Sequence, residues 1–346
     1  MNLQKRFHYC HCYFSKNIYI KKYNSHFNFE SESHFLKAYE NVLPGKGCDT
    51  EAKKNILIQE ITEEINRRRE LNKRASERKK IISENYIPLH HEVYKIQESF
   101  FDESFLNLVL TAKTGDYQEV LKLLDVISKE KRLYGFKVLK EDFCLKLLEE
   151  LNNYENSDLP KERPNTMNKY GILLDDLGFH NFSKVLRTNY LDPLAKSLFP
   201  EWRGEELDSH KIFTVTYQLD QDLDLGAHYD NSEVTLNVCL GKCFEGGELY
   251  FGDMRQEELS TYTEYTHKIG YGILHRGQQI HGALPITSAP RLARICMSLE
   301  PGLNETQWQL WPVTSIYVVI IFTFESQFVL LIKTAKLSQI EFLVHT

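Results

Sequence analysis

The sequence lacks three features: a regular cysteine pattern, net positive charge and long uninterrupted hydrophobic runs. Its 7 cysteines, an odd number without regular spacing, predict reduced thiols rather than a disulfide framework. A formal net charge of −6 gives no electrostatic footprint for nucleic acid. The basic runs 67–69 and 78–80 are therefore expected on a solvated helix face.

Neither end of the sequence has the pattern of an export or membrane signal. Residues 1–23 carry basic side chains around short apolar pieces, so we expect no signal peptide and predict an intracellular, cytoplasmic or nuclear location. A transmembrane helix needs about 20 predominantly apolar residues, whereas Glu325 interrupts the apolar run of 316–332. Membrane association is not expected. Three interpretations stay open for the atypical apolar tail 302–346: a folded segment, a membrane-associated segment or an alternative terminus.

The chain of 346 residues is long enough for about two domains. Residues 1–130 are predicted as an N-terminal region of short strands followed by charged helices, and 131–210 as helical support for a catalytic unit. From Lys211 to 301, short strands alternate with glycine-rich turns. This pattern predicts an α+β fold with a double-stranded β-helix, a cupin-like jelly roll, buttressed by helices.

Hydrophobic periodicity places helices over residues 50–83, 101–124 and 143–154. At the N-terminus, the cysteines and histidines of residues 8–12 have metal-ligand chemistry. No second cluster at zinc-finger spacing follows them, so a strand is predicted there instead.

The residues with the clearest chemistry are His228, Asp230 and His281. In a strand, alternate side chains share a face, so His228 and Asp230 can reach one ion while Tyr229 points away. His281 can then complete a face of two nitrogens and one oxygen. Such a face leaves about three positions of an octahedral Fe(II) ion open for a co-substrate and O₂.

Arg291 follows His281 across a turn-rich segment and is predicted to begin the next strand. Alternation gives Arg291 the same face as an apolar set, and the other face a mixed set. The apolar set is Ala293, Ile295, Met297 and Leu299, and the mixed set is Leu292, Arg294, Cys296 and Ser298. We therefore expect Arg291 to face the pocket, where its planar guanidinium would bind a carboxylate with two hydrogen bonds.

Three further residues have two interpretations each. His275 is the rival of His281 for the third ligand position, and we predict that it is a supporting or core residue because only His281 is followed by Arg291 at this spacing. Tyr217 faces inward by alternation, where it either lines the pocket or is an ordinary core tyrosine. Asn237 lies on the polar face of a strand, which faces either the pocket or solvent.

Taken with their surroundings, these residues resemble the Fe(II)/2-oxoglutarate-dependent dioxygenases. Three stretches are similar to the prolyl 4-hydroxylase and procollagen lysyl hydroxylase-like group: TLNVCL at 235–240, FEGGELYF at 244–251 and LHRG at 274–277. A narrower resemblance, to one branch of that group, is carried by RPNTMNKYG at 163–171 and by Cys10-His11-Cys12.

The resemblance implies a mechanism and a set of cofactors. Fe(II) on His228, Asp230 and His281, the implied catalytic residues, would chelate 2-oxoglutarate, while Arg291, Tyr217 and Asn237 bind or line its pocket. Oxidative decarboxylation to succinate and CO₂ would accompany hydroxylation of a peptide or protein side chain, with L-ascorbate (vitamin C) restoring over-oxidised iron. The alternative is a non-catalytic jelly roll that binds metal or recruits partners.

Overall fold

The chain divides into two compact units. The larger unit contains Arg74–Gly302, and the other contains the described residues up to Lys73 and those after Gly302. The predicted boundaries at 130 and 210 fall inside the larger unit and stay predictions. This computed structural model describes residues 17–23, 25–200, 207, 209–219, 221–230, 232–241, 245–254, 261–288, 292–300, 317–324 and 327–334.

The smaller unit begins with a two-stranded antiparallel hairpin, β1 (Asn17–Ile20) and β2 (Ser25–Asn28), as predicted for this region. It continues with α1 (Glu32–Ala38), which Ser31 caps, and with the first part of α2 (Glu51–Asn85). These elements share a small core of fully or nearly fully buried side chains: Ile18, Phe27, Phe35, Leu43, Leu57 and Ile61. The charged helix predicted over 50–83 is confirmed, but the short helix α1 was not predicted. The metal-ligand types at residues 8–12 lie outside the described residues.

The larger unit contains short helices and two strands ahead of the jelly roll. Asp102 and Asp116 cap the N-termini of two successive helices, and Gly115 ends the first of them, which splits the helix predicted over 101–124. The helix predicted over 143–154 is confirmed. The elements are α3 (Glu103–Thr114), α4 (Tyr117–Lys122), β3 (Asp125–Ser128), β4 (Leu133–Lys137), α5 (Glu141–Glu155), α6 (His180–Val185) and α7 (Asp192–Leu198).

The remaining strands of the larger unit build the jelly roll. They are β5 (Ser209–Tyr217), β6 (Leu225–His228), β7 (Val234–Gly241), β8 (Glu245–Gly246), β9 (Leu249–Met254), β10 (Thr263–Tyr265), β11 (Tyr271–Arg276), β12 (Gln279–Ala283), β13 (Ile286–Ser288) and β14 (Leu292–Glu300). One sheet has the order β3-β4-β11-β7-β14-β5 and the other has the order β10-β9-β12-β6. The chain passes repeatedly from one sheet to the other, and all pairings are antiparallel, which is the double-stranded β-helix that the sequence predicts.

The two faces of the six-stranded sheet have different neighbours. Leu236, Val238 and Leu274 belong to a core shared with helix residues such as Leu147 and Leu194. On the other face, Phe213, Val215, Tyr217 and Cys239 form a separate buried cluster, and Ile273 packs with Leu249 and Phe251 of the opposite sheet. Strand β7 is consequently buried along its whole length.

Two described strands lie in the C-terminal tail: β15 (Tyr317–Phe324) and β16 (Gln327–Thr334) pair as an antiparallel hairpin. Among the described residues, no helix has the length and apolar character needed to cross a membrane. In the part of the chain that the structure describes, Cys48, Cys144 and Cys239 are buried, and none of the three forms a disulfide bond.

Candidate metal centre

His228, Asp230 and His281 come together at one end of the four-stranded sheet. His228 is the last residue of β6, His281 lies directly opposite it on β12, and Asp230 follows two residues after β6 ends. Nε2 of His228 lies 3.5 Å from Oδ1 of Asp230, and Nε2 of His281 lies 3.5 Å from Oδ2. Bonds of about 2.1 Å at right angles place neighbouring ligand atoms about 3.0 Å apart. These two distances exceed that value by about half an ångström, and one donor atom from each of the three residues lies within 4.8 Å of the other two.

Both imidazoles have their metal-facing nitrogen fixed by a hydrogen bond on the other side of the ring. Nδ1 of His228 lies 2.9 Å from the carbonyl oxygen of Gly226, and Nδ1 of His281 lies 2.9 Å from that of Gln279. A carbonyl oxygen can only accept, so each Nδ1 carries a proton, and each Nε2 is the ring nitrogen that faces the centre. Such contacts orient metal-bound histidines and set their tautomer.

Asp230 is held both through its carboxylate and through its backbone. The hydroxyl of Thr235 donates to Oδ2 at 2.6 Å, and the backbone N–H of Asp230 donates to the carbonyl of Gly277 at 2.9 Å. Gly277 is required at this approach, because a Cβ there would lie 2.1 Å from the carbonyl oxygen of Ser232. The segment that contains Asp230 and Ser232 therefore packs closely against the turn at Gly277.

Charge at the site favours an ionised carboxylate. Burial alone would raise the pKa of Asp230, but the hydrogen bond with His228 and the charge of His281 outweigh it and lower the pKa well below its usual range. For His228, burial lowers the pKa, and the contacts with Asp230 and with Gly226 more than offset it, so the net shift is upward. An ionised carboxylate beside two imidazoles is the donor set that a divalent metal ion needs.

His275 is adjacent to the centre without being one of its three donors. It is completely buried, and its ring centroid lies 4.6 Å from that of His281. Nδ1 donates to the carbonyl of Arg276 at 3.0 Å, so Nε2 accepts from the amide of Asn237 at 3.1 Å. Burial lowers the pKa of His275 to about 3, so the ring is neutral. These contacts support the predicted supporting role.

The other two residues with two interpretations, Asn237 and Tyr217, lie on the inner face of the six-stranded sheet. Asn237 is buried beside His275, which places it next to the metal centre rather than in solvent. Tyr217 is 1 % exposed and packs with Phe213, Val215 and Cys239. The core interpretation of Tyr217 and its role towards a co-substrate therefore both remain compatible with its position.

Arg291, the predicted partner of the 2-oxoglutarate carboxylate, lies outside the described residues. It directly precedes β14, whose backbone register pairs position 295 with Val238 and position 294 with Cys239.

Val238 belongs to the core shared with the helices, and Cys239 belongs to the cluster that contains Tyr217. Neighbouring positions of β7 thus belong to different buried clusters, and the inward direction expected for Arg291 stays a prediction. The register also shifts between Ala293 and Arg294, at the end of the strand nearest Arg291. The role of Arg291 stays a prediction that depends on its spacing from His281 and on the family resemblance.

Several residues that position the site were missed by sequence reasoning. Gln279 accepts from His281 through its backbone oxygen, and its side-chain amide donates to the carbonyl of Gly252 at 2.9 Å. Nearby, Lys131 and Asp253 form a buried ion pair at 2.9 Å. No motif marks these residues, because their partners come together only through strand pairing.

Comparison with known proteins identifies the family. A family model described as "OGFOD2-like domain" matches residues 82–204. The chain is 46% identical over 296 residues to 2-oxoglutarate and iron-dependent oxygenase domain-containing protein 2 of Xenopus tropicalis, with 84% of each chain covered. The human protein of the same name is 41% identical over 288 residues, with 82% of each chain covered. The chain belongs to this family.

The family assignment confirms the narrower resemblance carried by residues 163–171, which lie inside the matched region. Among solved structures, a prolyl 4-hydroxylase from Phytophthora capsici superposes with a TM-score of 0.42 at 14% identity, over 66% of this chain and 74% of that one. The relatives in this family are named for dependence on 2-oxoglutarate and iron.

Proposed function

We propose that this protein is an active Fe(II)- and 2-oxoglutarate-dependent dioxygenase that hydroxylates a peptide or protein side chain. The observation that carries the proposal is the convergence of His228, Asp230 and His281 at one point of a jelly roll, each with its donor atom oriented by a second contact. A bound Fe(II) ion would supply the activation of O₂, and O₂ and 2-oxoglutarate would be its co-substrates.

The residues of this chain would contribute geometry and electrostatics. His228, Asp230 and His281 would hold the metal on one side and leave the opposite positions to the co-substrates. Asn237 and Tyr217 would line the pocket on the inner sheet face, and Arg291 would bind the distal carboxylate of 2-oxoglutarate. We include L-ascorbate as the reductant that keeps the iron ferrous between turnovers.

A peptide or protein substrate is proposed from the similarity to procollagen lysyl hydroxylases. The human enzyme named multifunctional procollagen lysine hydroxylase and glycosyltransferase LH3 is 30% identical over 175 residues, covering 46% of this chain and 22% of its own. Substrate-reading residues usually lie on loops around a rigid scaffold, and the loops of this chain have no recognisable code.

The test uses NMR to measure the conversion of 2-oxoglutarate to succinate by the purified full chain in the presence of Fe(II). We expect slow turnover even without a prime substrate, and none in the double variant His228→Ala, Asp230→Ala, because a single imidazole cannot hold a labile ion in this geometry. His91→Ala, which removes an exposed histidine of the same unit, is the matched control and should retain full turnover.

Two results would contradict the proposal. Turnover that survives in the double variant would remove the assigned ligands from the reaction. Tight iron binding without any turnover would instead support a non-catalytic jelly roll. If turnover is found, a product heavier by one oxygen in fractionated cell extract, detected by mass spectrometry, would identify the substrate.

A further inference from the structure

A second cluster of metal-ligand side chains lies in the larger unit and shares no residue with the first. Asp175 is in the 3₁₀ segment Leu174–Leu177, His180 is the first residue of α6, and His210 is near the start of β5. One donor atom from each side chain lies within 4.8 Å of the other two. The cluster therefore offers two imidazole nitrogens and one carboxylate oxygen.

The fold brings these residues together through an extended segment beside an edge strand. Backbone N–H groups of Thr214 and Thr216 donate to the carbonyls of Ile172 and Tyr170 at 2.8 and 3.1 Å, and Leu173 forms a bridge with Phe213. The chain then turns into the 3₁₀ segment and α6, which bring Asp175 and His180 to His210. Because this geometry depends on backbone pairing, the donors are held by rigid elements and not by a loop.

Among the residues that the structure describes, the carboxylate of Asp175 has no ion pair like that of its neighbour. Asp176 is paired with Arg78, whose Nε lies 2.7 Å from Oδ2. By contrast, Oδ1 of Asp175 is buried and accepts no hydrogen bond from any residue that the structure describes. Burial raises the pKa of Asp175 to about 6, and only the charge of Lys79 acts against it. A buried carboxylate oxygen without a donor is costly unless a cation or proton sits beside it.

The imidazoles supply the rest of a coordination sphere. The rings of His180 and His210 are stacked, with centroids 5.7 Å apart and planes inclined by 21°, and each side chain is half-buried. Tetrahedral bonds of about 2.1 Å place ligand atoms about 3.4 Å apart. Around a bound ion, the donor atoms, which lie within 4.8 Å of one another, would approach to about this separation.

We propose that Asp175, His180 and His210 bind a second divalent transition-metal ion, of the zinc class, that ties the helical support to the edge strand of the six-stranded sheet. Imidazole nitrogens and one carboxylate suit zinc, whereas calcium and magnesium prefer oxygen ligands alone. A water molecule would complete the tetrahedron. The role is structural, because the ion would join His210 on β5 to the segment that contains Asp175 and His180.

The experiment measures zinc per chain in the purified full-length protein, after chelator stripping and equilibrium dialysis against Zn²⁺ with a weak competing chelator. We expect two ions in the unchanged chain, and one in the double variant His228→Ala, Asp230→Ala, in which only the second site remains. Adding Asp175→Asn or His180→Gln to that double variant should remove the last ion, whereas adding His91→Ala should not. In the double variant, bound Co²⁺ should show the intense visible absorption of tetrahedral coordination.

The outcomes separate this proposal from the proposed function. The absence of zinc from the double variant would overturn the second site. This measurement does not depend on whether the Asp175→Asn chain folds. Zinc that remains after both Asp175→Asn and His180→Gln would also overturn it, since other histidines would then be the ligands. One ion that is unaffected by His228→Ala, Asp230→Ala but is lost in His180→Gln would support the second site while contradicting the first.

Discussion

Replacing Thr235 by valine tests how the candidate metal centre holds its carboxylate. The Thr235 hydroxyl donates to Oδ2 of Asp230 at 2.6 Å and lies 2.9 Å from the hydroxyl of Ser232. A threonine has one hydroxyl proton, and the ionised carboxylate can only accept, so Ser232 must donate to Thr235. Thr235→Val keeps the shape of the side chain and removes the middle of this relay.

The expected effect is a loss of about 10- to 100-fold in metal affinity, the usual result of removing a side chain that orients a metal ligand. This corresponds to about 1.4 to 2.7 kcal/mol. The loss is expected to be this large because Thr235 is completely buried, so water cannot replace its hydroxyl without opening the site. Asp230 keeps its backbone hydrogen bond with Gly277, so binding should be weakened and not abolished.

The assay is anaerobic calorimetric titration of Fe(II) into the unchanged chain, Thr235→Val and Thr235→Ser. Thr235→Ser retains the hydroxyl and should restore most of the affinity, which separates the hydrogen bond from a packing effect. Asp230→Ala defines complete loss of the ligand. Equal affinities for Thr235→Val and the unchanged chain would refute the reasoning, because the carboxylate would then be positioned by the backbone alone.

Two further predictions concern the other site residues. His281→Ala should lose both metal and turnover, whereas His275→Ala should retain a measurable fraction of each, since Nε2 of His275 already accepts from Asn237. Metal content and succinate formation measure both effects, and the reverse result would exchange the roles of the two histidines. Arg291→Ala should weaken 2-oxoglutarate binding by about 2 to 5 kcal/mol, or roughly 30-fold to several thousand-fold, while changing iron affinity far less. Calorimetry on Arg294→Ala provides the comparison: equal or larger losses there would remove Arg291 as the carboxylate partner.

The helices and the jelly roll were predictable because their signals are local. The long charged helix α2 and the amphipathic helix α5 each have a periodic apolar face in the sequence, and the short strands after Lys211 are separated by glycine-rich turns. The split between α3 and α4 could have been predicted as well. Gly115 is a typical residue to end a helix, and Asp116 is a typical residue to cap the start of the next one.

The direction of a side chain on β14 was not predictable from hydropathy. Apolar positions mark the buried side of a strand only when the other face of the sheet is solvated. Here both faces of the six-stranded sheet are covered, so hydropathy does not distinguish the pocket face from the helix face. Only the register with β5 and β7 distinguishes the two faces.

On strand β7, the residues that stabilise the fold and the residues that orient the metal centre lie on opposite faces. Leu236 and Val238 pack into the core shared with the helices, while Thr235 and Asn237 contact Asp230 and His275 on the other face. Because successive residues of a strand point to opposite faces, each residue that orients the site is flanked by residues that fix the position of the strand. A change in the apolar set should therefore act on the metal centre by moving β7 as a whole, and a change in the polar set should act on it without moving the strand.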